Sequence, residues 1–484
     1  MNDVSLALPT GAPGTTGTTG TTGWTCPFCL LLCDDLSVRL SASGAAWELA
    51  HGDCAAARAG LAQFTATPSH ATPTVDGKPC GLPEAVGAAA RLLAESGQPL
   101  FGGLGTDVSG ARALYRLASQ TGAICDPARG AALMHSVRAL QDRGGFTTTL
   151  AEVRTRADVI VCLGGLPTGD AADFFTRCGL GEGLVPKRHV AVLGGSEAES
   201  FSEPRHLLPR PFGERAGVRG CAPVQMPFDG PHPIPLPEGE GEETLAALGL
   251  HEGVTTESLR LDGDLFATVA MLAGVLARRA VRNVPAPLAA LAERLLAARY
   301  AVIVGQTSRF PAHAALLVEA VNRSVATLNL STRAGAIWLG GGNGAGTVNQ
   351  VFTWLSGLPL RSRAGPLGLE HEPVCFDAAR LLADGAVDCL LWVSSFDAAC
   401  LPPTTQVPLI VLGHPALAGS AARSGAVFIP VSTPGIGSAG HLFRTDGGAV
   451  LPLLPIYRDS LPGLGEVLGD VSQALESLRA EAVA

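Results

Sequence analysis

Cys26-Pro-Phe-Cys29-Leu-Leu-Leu-Cys33-Asp34-Asp35, answered by His51-Gly-Asp-Cys54, gathers four thiols within 29 residues. Two thiols three apart share one tight turn, a third four further on reaches the same pocket from the next turn, and a distant fourth completes a tetrahedral set. Cys26, Cys29, Cys33 and Cys54 are therefore the candidate metal ligands. Both a 4Fe-4S cluster and a single zinc accept four thiolates. Zinc knuckles normally repeat Cys-x2-Cys twice, so the three-residue gap between Cys29 and Cys33 favours iron–sulfur over zinc. Four reduced, unligated thiols are the third reading, because a free Cys behaves as a small buried hydrophobe. Burial is also the expectation for Cys80, Cys125, Cys162, Cys178, Cys221, Cys375, Cys389 and Cys400, which are scattered and mostly flanked by apolar residues.

The rest of the chain reads as scaffold. Its 484 residues suffice for two or three domains, and 47% hydrophobic against 16% charged residues places much of it in cores. A net charge of −9 without a basic run argues against nucleic acid or an anionic membrane as partner. No apolar stretch approaches the roughly 18 residues of a membrane span. Asp3 is the sole charge before Asp34, and no charged segment leads into an apolar one, so no secretory signal is visible. The expectation is a cytoplasmic protein whose cysteines stay reduced or bind metal.

Residues 1–23 end in a Gly-Thr-Thr tract with no apolar face, which predicts a disordered tail. Leu36–Leu40 alternates as a strand should, Trp47–Leu49 offers it a partner, and Ala55–Phe64 reads as a helix behind them. Residues 24–75 thus form a small four-cysteine domain. From there a grammar of apolar strand, Gly-rich turn and amphipathic helix recurs. Pro99-Leu-Phe101 runs into a turn at Gly102-Gly-Leu-Gly105, and Asp158–Cys162 runs into Gly164-Gly165 and a helix over 171–178. Further strands are expected at 190–193, 300–304, 387–393, 407–412 and 427–431. Uniformly apolar strands alternating with helices predict α/β architecture with doubly wound parallel sheets covered on both faces. The linear division is a first α/β domain over 76–199, a Pro/Gly-rich insertion and linker over 200–260 and a second α/β domain over 261–484 with a C-terminal helix. Gly103-x-Gly105-x-x-x-x-Gly110 does not match dinucleotide spacing. His206 and His232, inside the insertion, are expected to face solvent.

Several stretches together resemble the B subunit of formylmethanofuran dehydrogenase, within the pterin-dependent molybdenum and tungsten oxidoreductases. Cys29-Leu-Leu-Leu-Cys33-Asp-Asp35 looks like its cluster motif, and Cys54 with Gly60 looks like its fourth ligand. Ala139-Leu-Gln141 with Ala157-Asp-Val-Ile-Val161 looks like its first α/β unit. Gly342-Asn343 through Asn349-Gln-Val-Phe-Thr-Trp354 looks like its Gly-Asn loop, and 430–440 with Phe443-Arg444-Thr-Asp446 looks like its closing segment. The resemblance implies two doubly wound domains of the molybdopterin oxidoreductase type. In the redox members a Cys or selenocysteine followed by His ligates the metal after an Asp-containing loop. Laying Asp126 and Ala139-Leu-Gln141 on that pattern puts Ala132-Leu133 at the ligand pair, and a methyl group cannot coordinate tungsten. A shifted ligand would have to come from Cys125, Met134 or His135.

That departure is similar to the B subunit of the bacterial formyltransferase/hydrolase complex. The resemblance there implies a scaffold for a zinc-dependent hydrolase (the A component), a structural C component and a formyltransferase (the D component), in formyl-to-formate one-carbon metabolism linked to tetrahydromethanopterin and a methanofuran-type carrier. It implies that molybdenum- or tungsten-pterin is absent, that this chain carries no catalytic residue of its own, and that the cluster is lost, from which the intact four-cysteine set departs. The alternative is a redox-active metal-pterin formylmethanofuran dehydrogenase subunit. The chain ends after a helix over 460–484 without a β-rich carboxyl domain, so a complete pterin site would need another subunit. His313, His371, His414 and His441 do not fall at ligand spacing, Glu370-His371-Glu372 lacks a second His, and Ser394-Ser395 lacks a nucleophile elbow. Arg333, Arg361, Arg363 and Arg444 suit phosphates, with salt bridges as their expected present use.

Overall fold

The strands Val159–Leu163, Ala301–Gln306, Cys389–Ser394, Leu409–Gly413 and Ala426–Pro430 are buried at every position, so their sequences run apolar without alternation. They fall into two sheets in the computed structural model, which describes residues 20–66, 71–194, 240–260, 264–311 and 313–483. The smaller sheet has five parallel strands among the described residues, in the spatial order Val254–Arg260, Arg188–Gly194, Val159–Leu163, Ala301–Gln306 and Ala334–Leu339. The larger has nine: Gly368–His371, Ser362–Gly365, Ile124–Cys125, Pro99–Gly105, Cys389–Ser394, Leu409–Gly413, Ala426–Pro430, Thr74–Val75 and Lys78–Pro79. Its centre is parallel and its edges antiparallel. The architecture is mixed α/β with parallel sheets.

Sheet membership does not follow the linear division. The large sheet takes strands from 74–125 and again from 362–430, while the small sheet is built from the intervening 159–339. Strands of identical apolar grammar carry no label for the sheet they join, so a boundary near 261 cuts through the small sheet. Thr74–Val75 pairs with Ala426–Pro430, which moves the end of the four-cysteine segment into the large sheet. The expected insertion and linker over 200–260 lies outside the described residues as far as 239, along with His206, Cys221 and His232. From Glu240 it forms the helix Glu240–Leu248 and the edge strand Val254–Arg260 of the small sheet.

The disordered tail expected over 1–23 does not hold for its last four residues. Residues 1–19 lie outside the described residues, but Gly20–Trp24 is a strand paired with Leu36–Leu40, which in turn pairs with Trp47–His51. Backbone ladders need no apolar face, and fully buried Trp24 anchors the end of this one. Gly102-Gly-Leu-Gly105 is likewise not a turn: the strand runs through to Gly105, with a register shift opposite Trp392 to Ser394. The indole of Trp392 covers it, and a Cβ at Gly102 would lie 2.9 Å from that ring. The glycines serve close packing rather than a phosphate.

Helix boundaries follow local chemistry. Val108–Thr121 starts at Asp107, whose carboxylate accepts from the Gly110 N–H at 3.0 Å, and stops at Gly122 in the left-handed region. The expected helix over 171–178 is broken into the 3-10 turn Gly169–Ala171 and the short helix Phe174–Arg177. Of the arginines, Arg363 pairs with Glu370, Arg444 with Asp446, and buried Arg361 with Asp126 and Asp377. Burial pushes Asp126 up to about 6 even beside that guanidinium. Its carboxylate also accepts from the Ala378 N–H at 2.8 Å. Among the described residues no helix is long and apolar enough to cross a membrane.

Removing one member of a buried ion network strands the others without compensation. Arg361→Met should cost about 3–5 kcal/mol in urea unfolding; a loss below about 1 kcal/mol would show that water reaches the two carboxylates.

Candidate metal centre

The thiol loop is closed by its own backbone. The Cys26 N–H donates to the Cys33 carbonyl at 2.8 Å, and Leu32, at φ 45°, turns the chain so that Cys33 comes back to the pocket. Cys54 arrives separately, at the N-cap of the helix Ala55–Leu61, where its Sγ accepts from the Ala57 N–H at 3.4 Å. The Cys33 N–H approaches the Cys29 Sγ at the same distance. Cys26 and Cys54 are fully buried, their sulfurs 4.0 Å apart, and the sulfurs of Cys26, Cys29 and Cys54 all lie within 4.8 Å of one another. Cys33 joins Cys54 and the carboxylate of Asp173 within the same limit. The four cysteines proposed from spacing are thus brought together and could bind a metal ion.

Asp173 is the neighbour that sequence reasoning missed. It precedes Phe174–Arg177 in the first α/β segment, and no motif links it to the cysteines. Burial, then the charge of Cys54 and a hydrogen bond to it, lift its carboxyl to about 6. Among the thiols, burial followed by hydrogen bonds to Cys29 and Cys54 raises Cys26, and hydrogen bonds to the same two raise Cys33. Cys29 and Cys54 are lowered, first by their hydrogen bonds to Cys26. The shifts run in opposite directions across the cluster, as expected where adjacent buried thiols share hydrogen bonds. Arg177 pairs with Asp34 at 2.8 Å and Asp35 at 3.4 Å beside the site.

The pocket is not self-standing. Trp24, Leu31 and Leu61 share one apolar core with Ile160, Cys162 and Val304 of the small sheet. The Trp24 indole N–H donates to the Gly435 carbonyl at 2.8 Å, and the Leu30 N–H donates to the Asp170 carbonyl at 3.0 Å. Gly60 has a packing reason: a Cβ there would fall 2.1 Å from the Phe28 ring.

Beside Cys29 opens a cavity of about 220 Å³, bounded by Leu133, Ser136, Val137 and Leu140 of the helix Gly130–Arg143 and by the loop 340–346. That loop turns through Gly341, Asn343 and Gly344, all at positive φ. The Asn343 Nδ2 donates to the Ser394 Oγ at 3.0 Å, joining the carboxyl ends of the two sheets. A metal-pterin group does not fit here. The space lies below the ~300 Å³ at which pockets for drug-sized ligands begin, and Leu133, Val137 and Leu140 present methyls to it. Cys125 is fully buried among core residues of the large sheet, its Sγ 3.8 Å from the Ala123 carbonyl. Met134 is buried, His135 does not line the cavity, and Cys400 neighbours Ser394 and Asn343 without lining it either.

The remaining candidates stay apart. Among the described residues no His joins a group able to hold a metal. His313 and His441 are exposed, His371 sits 3.0 Å from the Arg361 carbonyl, and the Ser394 Oγ donates to the Asp397 carbonyl. Of the scattered cysteines, Cys125, Cys162, Cys178 and Cys389 are buried as expected, Cys80 and Cys400 are half-buried, and Cys375 is exposed, because it lies in a surface loop before the helix Ala378–Ala383. His414 sits at the carboxyl end of Leu409–Gly413, beside a second cavity of about 530 Å³ that includes Phe64, Tyr457 and Asp459. Its Nδ1 accepts from the Ala416 N–H at 3.1 Å, which leaves the proton on Nε2, buried without a partner.

Two outcomes follow for solution work. Gly60→Ala should lower stability by about 1 kcal/mol, the clash with Phe28 outweighing the gain in helix propensity; an unchanged or raised denaturant midpoint would mean that Phe28 gives way freely. Burial holds His414 at about 4. The unfolded chain, whose histidine titrates near 6.5, then binds more protons between those values, so stability falls as pH drops from about 6.5 to 4, by up to about 3 kcal/mol from this residue. His414→Gln should flatten that slope; an unaltered slope assigns it to other groups, half-buried His135, also at about 4, among them.

No protein-family model matches the chain. It is 28% identical over 376 residues to the B subunit of the formyltransferase/hydrolase complex Fhc of Methylorubrum extorquens, covering 78% of this chain and 89% of that protein. To the B subunit of the tungsten-containing formylmethanofuran dehydrogenase 2 of Methanocaldococcus jannaschii it is 24% identical over 445 residues, 87% of this chain and 90% of the other. Its fold matches a chain in the crystal structure of the Methylorubrum extorquens formyltransferase/hydrolase complex FhcABCD with methylofuran, at TM-score 0.63 and 24% identity over 84% of this chain and all of that one. By sequence the chain is similar, along most of its length, to the B subunits of the formyltransferase/hydrolase complex and of tungsten-containing formylmethanofuran dehydrogenase.

Proposed function

We propose that the chain is the B subunit of a formyl-transferring and hydrolysing complex in one-carbon metabolism, a non-redox scaffold whose partners are a hydrolase, a formyltransferase and a further structural subunit. Similarity along most of its length to the Fhc B subunit supports the assembly. The observation that carries the non-redox part is the wall formed by Gly130–Arg143: Leu133, Val137 and Leu140, with Ser136, border the cavity, and among the described residues that line it Cys29, one of the four clustered thiols, alone carries sulfur. A protein cannot route electrons through a heavy metal it has no atom to grip. The two sheets meeting through Asn343 and Ser394 at their carboxyl ends support a molybdopterin oxidoreductase type of arrangement, retained as a frame.

Cys26, Cys29, Cys33 and Cys54 are, on this reading, structural metal ligands that fasten the N-terminal segment to the small sheet. Every cysteine among the described residues is free, which suits a reducing, cytoplasmic compartment. The intact thiol set is the feature that favours the alternative, a redox-active tungsten or molybdenum enzyme.

The tagged chain, isolated from its native host, should bring down the hydrolase and formyltransferase subunits and contain neither tungsten nor molybdenum. Heavy metal at near-stoichiometric level would overturn the scaffold reading, and recovery of the chain without either enzyme subunit would overturn the assembly.

A further inference from the structure

We propose that Cys26, Cys29, Cys33 and Cys54 close around a single four-coordinate divalent ion of the zinc class and not around an iron–sulfur cubane. This rests on the reading of the four cysteines as metal ligands and narrows it to one chemistry.

Size decides between the two. With zinc–sulfur bonds near 2.3 Å, the edge of a tetrahedron of four thiolates is about 3.8 Å. A cubane places its irons at alternate corners and the cysteine sulfurs beyond them, so those sulfurs stand roughly 6 Å apart. The sulfurs of Cys26 and Cys54 are separated by 4.0 Å, close to the first value. Cys29 lies within 4.8 Å of both, and Cys33 within 4.8 Å of Cys54. Cys33, which stands outside the Cys26–Cys29–Cys54 group, must move toward the other three to complete the small tetrahedron, whereas a cubane needs the Cys26–Cys54 edge lengthened by about 2 Å and room for four bridging sulfides.

The walls do not offer that room. Cys26 and Cys54 have no exposure, and Trp24, Leu31, Leu36 and Leu61 around them are at most 1% exposed. Moving Cys54 outward carries the start of the helix Ala55–Leu61, whose Gly60 already rests on the Phe28 ring with no space for a methyl. Close-packed interiors resist such expansion, since added volume forces backbone shifts and strained side chains. The proposal leaves Asp173, within 4.8 Å of Cys33 and Cys54, outside the ligand set as a neighbouring carboxylate engaged by the N–H of Ala55 and by Cys54.

The experiment is metal and acid-labile sulfide analysis of the chain in its native complex, purified without oxygen from cells supplied with both iron and zinc, then cobalt exchange of the same material. The proposal expects about one zinc per chain, no labile sulfide, and a cobalt derivative with tetrahedral ligand-field bands and thiolate-to-metal charge transfer. In that derivative Cys33→Ser should remove about one quarter of the charge-transfer intensity and Asp173→Asn none. Iron and sulfide in equal amounts, near four each, would overturn the single-ion proposal and leave the cysteines as ligands. Absence of zinc, iron and sulfide would overturn both that and the ligand reading, without touching the assembly tested by co-purification. Loss of intensity in Asp173→Asn but not in Cys33→Ser would refute the four-thiol set itself.

Discussion

Burial of four thiols in a core that two parts of the chain must build jointly is the constraint on which the structure turns. Cys26, Cys29, Cys33 and Cys54 share one apolar core with Ile160, Cys162 and Val304, so the N-terminal segment and the small sheet bury that face together. Buried sulfur is inexpensive as a neutral hydrophobe and costly as several adjacent anions. The raised thiols of Cys26 and Cys33 beside the lowered ones of Cys29 and Cys54 express that conflict. A bound cation would resolve it, and would then couple metal binding to the docking of the two parts.

The neighbouring cleft follows the opposite logic. Its frame is kept: the Gly-Asn loop, the Ser394 contact and the closing segment around Thr445, whose Oγ1 holds the strand end at Trp338 and Gly340. The helix that borders the cleft presents Leu133, Val137 and Leu140, with Ser136 among them. The frame's glycines are needed for contact between the sheets themselves; Gly105, whose Cβ would sit 2.6 Å from Asn343, is one such position.

The thiol centre was legible in the sequence because cysteine spacing encodes geometry over a short span, and Cys29-x-x-x-Cys33 with Cys54 needed only local turns to converge. Strands such as Cys389–Ser394 were legible for the same reason, as full burial writes itself into composition. What could not be read was long-range. Asp173 reaches the thiols only through the folding of the small sheet, and the interleaving of segments 74–125, 159–339 and 362–430 leaves no trace in apolar runs that look alike. Gly102–Gly105 misled because a glycine that makes room for Trp392 has the same letter as one that turns the chain.

X-ray anomalous scattering from crystals of the assembled complex, recorded at the zinc, iron and tungsten edges, confronts the central claim most directly. The account predicts density at the meeting point of Cys26, Cys29, Cys33 and Cys54, strongest at the zinc edge, and none in the cleft beside Leu133. A heavy-metal peak in that cleft, held by any side chain of this protein, would contradict it.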